Sequence, residues 1–233
     1  MSEQVRVRQD EDGDDGIGAQ QQRHWQATYE QHPGVYGALP SAAAVAALGA
    51  FEQAGARRVL ELGAGHGRDA LSFARAGLSV DATDFSREAL AQLVRSAQAE
   101  GLADAVAAVE HDARDKLPYP DGEFDAVYAH MLLCMALSTD EIRAVVDEVR
   151  RVLRPGGLFV YTVRHTGDAH YGAGVARGED VFEHGGFAVH FFSRELVDDL
   201  ARGWQQPEVD PFEEGELPRQ LWRVTQVRAA EER

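Results

Sequence analysis

The chain has 233 residues, of which 39 are Asp or Glu and 23 are Lys or Arg, so its formal net charge is −16. A surface of this sign repels the phosphate backbone of nucleic acids and no basic patch offsets it, so we expect no nucleic-acid partner. The sequence has no apolar run long enough to cross a membrane, no apolar segment of a secretory signal, and one cysteine. One cysteine cannot form an internal disulfide or a multi-thiolate metal site. Together these absences predict a cytoplasmic protein.

Residues 1–22 are predicted to be a disordered acidic tail, because they are polar, contain the run DEDGDD and lack periodicity. Helices are expected over 24–30 and 41–53, the second rich in alanine with apolar residues three and four apart. The connector between them, HPGVYGALP, is rich in turn-forming residues. The length of the remaining chain, 23–233, predicts one domain.

From residue 57 onward, strand and helix patterns alternate. Strands are expected over 57–62, 78–84, 105–112, 124–132 and 157–165, with helices over 68–76, 87–100 and 139–153 between them. Ser86 is placed as an N-cap, and Ser138 with Glu141 matches a capping box. This alternation with short turns predicts right-handed crossovers and a parallel sheet covered on both faces.

The last third of the chain departs from the alternation. Residues 165–186 contain six glycines and little periodicity, so we expect a long loop, and we predict that the insertion 165–190 is a lid. A helix is expected over 193–203 and a final strand over 221–228. The whole pattern predicts an α/β fold with a doubly wound, Rossmann-like, seven-stranded, mostly parallel sheet, an antiparallel C-terminal hairpin and helices on both faces.

The stretch ELGAGHGRD at 61–69 follows the first predicted strand and holds three glycines in five positions. Ligands of open α/β sheets bind beyond the carboxyl ends of the strands, so this loop is a candidate binding site. A P-loop is excluded because no lysine follows the glycines. A dinucleotide loop is disfavoured because Arg68 occupies the position that needs a small residue. The remaining pattern is an acidic residue followed by Gly-x-Gly-x-Gly.

That pattern resembles the cofactor loop of class I S-adenosylmethionine-dependent methyltransferases. The resemblance covers about residues 57–165 and includes five segments in the chain order of that family, the last being LRPGG at 153–157. Within the family, GHGRDALSFARAGLSVDATDFS looks most like the small-molecule branch that includes tellurite-resistance and thiopurine-type methyltransferases. The resemblance implies S-adenosyl-L-methionine as the cofactor and a small molecule as the methyl acceptor.

The resemblance also implies roles for residues at the strand ends. Glu61 suits the ammonium of the methionine part, and Asp84 would accept from both ribose hydroxyls. Asp112 would accept from the adenine amino group, while Phe85 would line the adenine face. The predicted cofactor-contacting residues are Glu61, Gly63, Ala64, Gly65, Gly67, Asp84, Phe85, Asp112, Ala113 and His130, with Tyr29 and Tyr36 either closing the pocket from the opposite side or packing in the core.

Four residues are candidates for the acceptor side of the site. The resemblance places His130, at the end of the fourth strand, opposite the transferable methyl group. His165, His170 and Tyr171 follow the fifth strand and would contact the acceptor if their segment is a lid. The alternative for that segment is a solvated loop with incidental histidines. A metal site there is disfavoured because the histidine spacings match no usual ligand pair.

Two other functions stay open beside methyl transfer. A non-catalytic S-adenosylmethionine-binding regulatory protein would keep the same cofactor residues. A NAD-dependent oxidoreductase would need the small residue that Arg68 replaces. Methyl transfer depends mainly on positioning and exclusion of water, so the absence of an obvious base does not argue against it. Sulfur, nitrogen, oxygen, carbon and metalloid acceptors are all compatible with the sequence.

Overall fold

The structure, a computed structural model, describes residues 16–205, 207–215 and 219–230. The strands in this part of the chain are β1 (Arg58–Leu62), β2 (Ser79–Asp84), β3 (Val106–Glu110), β4 (Phe124–His130), β5 (Leu153–Arg164), β6 (Val175–Gly178), β7 (Val181–His184), β8 (Phe187–His190), β9 (Glu208–Glu214) and β10 (Arg219–Val227). The helices are α1 (Ile17–Gln31), α2 (Ala42–Gln53), α3 (Arg68–Arg75), α4 (Arg87–Ala99), α5 (Thr139–Val152) and α6 (Arg194–Leu200).

Seven strands form one sheet in the order β3-β2-β1-β4-β5-β10-β9. The first five strands of this order pair in parallel, and β10 pairs antiparallel with both β5 and β9. The predicted mostly parallel sheet with an antiparallel C-terminal hairpin is therefore confirmed. The strand order reverses between β1 and β4, which opens a crevice at their carboxyl ends.

Helices cover both faces of the sheet, and successive side chains along a strand point to opposite faces, so the side chains of both faces are buried. Val59 and Tyr128 belong to an apolar cluster that includes residues of α2, α3 and α4. Leu60 and Val127 belong to a second cluster with residues of α5 and α6 on the other face. The helices packed on both faces hold the strand ends in fixed positions. The predicted caps also form: Ser86 caps α4, and Ser138 with Glu141 makes a complete capping box for α5.

The structure differs from the sequence-based prediction at the amino-terminal side. Helix α1 begins at Ile17, so residues 17–22, which we predicted to belong to the disordered tail, are helical. Gln21 is buried and its side-chain amide donates to the carbonyl of Gly186 at 2.6 Å, a tertiary contact that the local sequence does not reveal. The remainder of the predicted tail, 1–15, lies outside the described residues.

The segment predicted as a long loop is also different, since β6, β7 and β8 form a small antiparallel sheet. The strands have four residues each, too few to show a periodic pattern in the sequence. Glu179 and Asp180 separate the first two strands, and Gly185 and Gly186 separate the last two. The small sheet packs beside α1, where the Phe187 ring lies 4.1 Å from that of His24. It also bonds to the loop after β4, because the backbone N–H of Ala136 donates to Ala188.

The acidic segment before the last strand forms β9, the first strand of the C-terminal hairpin. Its residues alternate between half-buried and exposed, as expected for an edge strand. Among the described residues, no helix is both long and apolar enough to span a membrane. The cytoplasmic location stays a prediction.

Candidate cofactor and acceptor site

A cavity of about 330 Å³ lies at the carboxyl ends of the central strands. Most of the residues predicted for cofactor contact line it: Tyr29, Tyr36, Glu61, Gly63, Ala64, Gly65, Asp84, Phe85, Asp112, Ala113 and His130. The sheet brings these residues together although they span a hundred positions of the sequence, because parallel strands present their carboxyl ends at one edge.

Three of the predicted acceptor-side residues do not line the cavity. The His165 ring stacks on Trp222 at a centroid distance of 4.4 Å. His170 Nδ1 lies 3.1 Å from a carboxylate oxygen of buried Asp168, and the Tyr171 hydroxyl donates to Asp180 at 2.6 Å. The structure therefore gives these side chains contacts within their own part of the fold, away from the cavity lining.

The glycine loop turns through left-handed backbone conformations, with φ of 68° at Gly63, 55° at Gly65 and 86° at Gly67. Gly63 and Gly65 line the cavity, whereas Gly67 is the N-cap residue of α3. A Cβ atom on Gly65 would collide with the hydroxyl of Tyr29, and one on Gly67 with Leu93. Close packing of the protein itself thus requires glycine at these two positions.

Asp84, the last residue of β2, is held by backbone hydrogen bonds on both carboxylate oxygens. Gly65 N–H donates to Oδ2 and Ser86 N–H donates to Oδ1, each at 2.8 Å. Burial raises the pKa of Asp84 to about 6, although these hydrogen bonds favour the ionised form. A ligand with hydroxyl donors would stabilise the carboxylate further.

Asp112 follows β3 and is tied to a neighbouring arginine. Arg114 donates to both of its oxygens, from Nε at 2.9 Å and from Nη2 at 2.5 Å. Burial opposes ionisation of Asp112, but the hydrogen bonds from Arg114 outweigh it and lower the pKa. The carboxylate is therefore charged and fixed in direction at neutral pH, and it keeps acceptor capacity for a ligand.

Glu61, in β1, has one carboxylate oxygen without a hydrogen-bond partner in the described part of the protein. That oxygen is Oε2, and the residue is 3% exposed. Burial, with Asp69 nearby, raises the pKa of Glu61 well above its usual range. A buried carboxylate without a partner is costly, so a positively charged ligand group would fit here. This observation matches the ammonium end of S-adenosylmethionine.

Aromatic side chains from α1 and its following connector form one wall of the cavity. The ring of Trp25 stacks on that of Tyr29 at 6.0 Å, and Tyr36 stacks on His66 at 6.2 Å. The carbonyl of Tyr29 accepts from the side-chain amide of Gln92 at 2.9 Å, which fixes α1 against α4. The sequence left Tyr29 and Tyr36 either at the pocket or in the core, and both residues line the pocket.

The acceptor end contains residues that sequence reasoning missed. Glu214 and Arg219, from facing ends of β9 and β10, line the cavity. Met131 and Met135 add apolar surface from the loop after β4. Met131 has a φ of 58°, an unusual value for a residue with a side chain that is often found at functional sites. No sequence motif marks Glu214 and Arg219, because pairing of β9 with β10 is what brings them together.

Comparison with known proteins finds similarity to methyltransferases. Residues 59–157 match the model of a family described as methyltransferase domain. The chain is 38% identical over 116 residues to a demethylmenaquinone methyltransferase from Clavibacter sepedonicus, covering 50% of this chain and 44% of the relative. It is 35% identical over 108 residues to the sterol 24-C-methyltransferase ERG6B of Gibberella zeae, covering 44% of this chain and 26% of the relative. The matched stretch thus spans less than half the length of these relatives.

A solved structure agrees over more of the chain. The 1,6-didemethyltoxoflavin-N1-methyltransferase of Burkholderia thailandensis, solved with 1,6-didemethyltoxoflavin and S-adenosylhomocysteine, superposes with a TM-score of 0.70. The sequences are 18% identical, and the superposition covers 91% of this chain and 88% of that protein. The likeness shows a shared fold.

The strand order, the glycine loop and the strand-end carboxylates are together typical of the class I methyltransferase fold. Residues 59–157 match the model of a methyltransferase domain, in agreement with the resemblance seen in the sequence. The cofactor of this class is S-adenosylmethionine, and the Oε2 atom of Glu61, which has no partner among the described residues, gives a structural reason why it fits.

Proposed function

We propose that this protein transfers the methyl group of S-adenosylmethionine to a small-molecule acceptor bound beside His130. The observation that carries the proposal is the row formed by Glu61, Asp84 and Asp112 on one cavity. These carboxylates come from β1, β2 and the turn after β3, which are neighbours in the sheet. Such a row suits a ligand that presents an ammonium, two ribose hydroxyls and an adenine amino group in succession.

The remaining cavity residues complete the proposed cofactor site. Phe85 would cover the adenine, while Tyr29 and Tyr36 would close the cavity from the side of α1. When bound, S-adenosylmethionine supplies a methyl carbon attached to a positively charged sulfur, which a nucleophile can attack in line. The protein's contribution is to position the acceptor and to exclude water, and both depend on the cover over the cavity.

The class of acceptor follows from the shape and lining of the site. A concave cavity of about 330 Å³ lined by α1 suits a small molecule better than a polymer. The similar proteins are named for small molecules: a sterol, demethylmenaquinone and a toxoflavin precursor. We also propose that the domain predicted over 23–233 extends back to the start of α1 at Ile17. We further propose that the insertion 165–190 acts as a lid by supporting α1 through Gly186 and Phe187.

The proposal is tested with methyl-labelled S-adenosylmethionine and pools of small molecules grouped by accepting atom. We expect label in at least one pool with the natural protein, and loss of that label with Asp84→Asn. The variant Asp81→Asn is the matched control, because Asp81 lies on the same strand but pairs with Arg58 outside the cavity. Cofactor binding without transfer to any pool would instead favour the non-catalytic binding protein.

A further inference from the structure

The acceptor end of the cavity contains a carboxylate delivered from the far edge of the sheet. Glu214 is the last residue of β9, and β5 and β10 separate that strand from β4. Its Oε2 atom nevertheless lies 3.4 Å from Nε2 of His130, the last residue of β4. The C-terminal hairpin thus reaches across two strand ends and places Glu214 in the cavity beside the residue that faces the proposed methyl position.

The second ring nitrogen of His130 is also occupied. His130 Nδ1 lies 2.8 Å from Thr162 Oγ1, and that oxygen already accepts from the backbone N–H of Met131 at 3.0 Å. An ionised carboxylate only accepts hydrogen bonds, so the ring hydrogen beside Glu214 lies on Nε2. In the neutral ring, Nδ1 then accepts from the hydroxyl of Thr162. His130 has no free lone pair for an acceptor, which makes it a positioning residue rather than the base.

Glu214 keeps acceptor capacity that its protein neighbours do not use. Its Oε1 atom has a single described ion-pair contact, 3.8 Å from Arg68 Nη2, which is longer than a hydrogen bond. Hydrogen bonding by His130 lowers the pKa of Glu214 despite burial, with Arg68 and Arg219 acting in the same direction. The side chain is 21% exposed and lines the cavity.

The loop after β4 adds apolar surface to the same cavity. Met131, Leu132 and Met135 of this loop line it, and none of these side chains offers a hydrogen-bond donor. A ligand here would bury an apolar body against them and direct one polar group at Glu214. Since carboxylates accept but do not donate when ionised, that polar group must carry a proton.

We propose that Glu214, positioned by His130, binds the O–H or N–H group of a neutral acceptor and takes its proton. This inference rests on the proposed methyl transfer. The acceptor oxygen or nitrogen forms a bond to the methyl carbon, and the carbon–sulfur bond breaks with its electron pair left on sulfur. The proton of the acceptor moves to Glu214 and then to solvent. The acceptor class is accordingly a hydroxyl or amino compound with an apolar body.

The test uses four probes on the protein saturated with S-adenosylhomocysteine: phenol and aniline, with their methylated counterparts anisole and N,N-dimethylaniline. Dissociation constants are measured by ligand-observed NMR at neutral pH. We expect phenol or aniline to bind about tenfold more tightly than its methylated counterpart, the size of one charge-assisted hydrogen bond. Equal affinities within both pairs would overturn the inference.

Variants separate the role of Glu214 from general effects on the fold. Glu214→Gln should remove most of the preference, whereas Glu213→Gln should keep it, because Glu213 is exposed and bonds Gln220 outside the cavity. His130→Phe should remove the preference, and His130→Gln, which retains a donor for Glu214, should restore it. A preference that survives in both Glu214→Gln and His130→Phe would contradict the assignment.

Binding of S-adenosylhomocysteine is measured for every variant in the same series. Retained binding with no probe preference in the natural protein would reject the inference and leave methyl transfer standing. Failure of the natural protein to bind S-adenosylhomocysteine at all would reject the proposed function itself.

Discussion

The carboxylate of Asp84 accepts a hydrogen bond from the backbone N–H of Gly65, which joins the end of β2 to the middle of the glycine loop at 2.8 Å. The loop and the carboxylate therefore hold each other in place before any ligand arrives. Asp84 presents its remaining acceptor capacity to the cavity. Preorganisation of this kind reduces the entropy lost on binding.

Replacing Asp84 by Asn should weaken binding of S-adenosylhomocysteine by about tenfold or more, because charge-assisted bonds to the ribose hydroxyls are lost. Calorimetric titration measures the change. The control Asp81→Asn removes a carboxylate from the same strand outside the cavity, so its affinity should equal that of the natural protein. Equal affinities for Asp84→Asn and Asp81→Asn would contradict the assignment of Asp84.

Cofactor affinity should also depend on pH through the same residue. Burial raises the pKa of Asp84 to about 6 in the free protein, and hydroxyl donors of the ligand favour the ionised form. Below pH 6, binding must first remove a proton, so affinity should fall by up to about tenfold per pH unit as pH decreases. Above pH 7 this contribution should be flat. The affinity of Asp84→Asn should not fall below pH 6. A fall in affinity that persists in this variant would show that another group causes it.

Replacing Gly65 by Ala should destabilise the protein for two separable reasons. The residue has a φ of 55°, and the added Cβ would meet the hydroxyl of Tyr29. Gly77→Ala is the matched control, since Gly77 has a φ of 88° but no neighbour that a Cβ would meet. Thermal denaturation should show a larger loss for Gly65→Ala than for Gly77→Ala. Adding Tyr29→Phe should recover part of the difference, and no recovery would show that the clash is not the cause.

Ser41 links the start of α2 to the first turn of α3. Its backbone N–H donates to Asp69 at 2.7 Å and its hydroxyl donates to the same carboxylate at 2.8 Å, while Ala44 N–H donates to Ser41 Oγ. Ser41→Ala should lower the free energy of unfolding by about 1–3 kcal/mol, since it removes a cap and a buried charge-assisted bond.

Ser193→Ala is the control for the cap alone. Ser193 caps α6 by accepting from Leu196 N–H at 3.2 Å. Denaturant unfolding should give a smaller loss for Ser193→Ala, about 1 kcal/mol. Equal losses for the two variants would mean that the bond to Asp69 adds nothing to stability.

Sequence alone predicted the central architecture because its signals are local. Alternating apolar runs and caps such as Ser138 mark each strand and helix, and the carboxyl ends of parallel strands must meet at one edge. The resemblance to methyltransferases, together with their places at strand ends, therefore predicted Glu61, Asp84 and Asp112 for one cavity.

The parts that could not be predicted depend on tertiary contacts. The strands β6, β7 and β8 have four residues each, and their pairing follows from contact with α1 and the loop after β4. His165 and Tyr171 follow a strand whose carboxyl end lies at the site, but the His165 ring stacks on Trp222 and the Tyr171 hydroxyl bonds Asp180 instead. Glu214 joins the site only because the hairpin crosses two strand ends.

Direct measurement of ligand binding tests the central claim, that this cavity is an S-adenosylmethionine site. Separate calorimetric titrations with S-adenosylmethionine, S-adenosylhomocysteine and NAD should give saturable binding of one molecule per chain for the first two ligands and none for NAD. Absence of binding by both S-adenosyl compounds, or saturable binding of NAD in their place, would contradict the account.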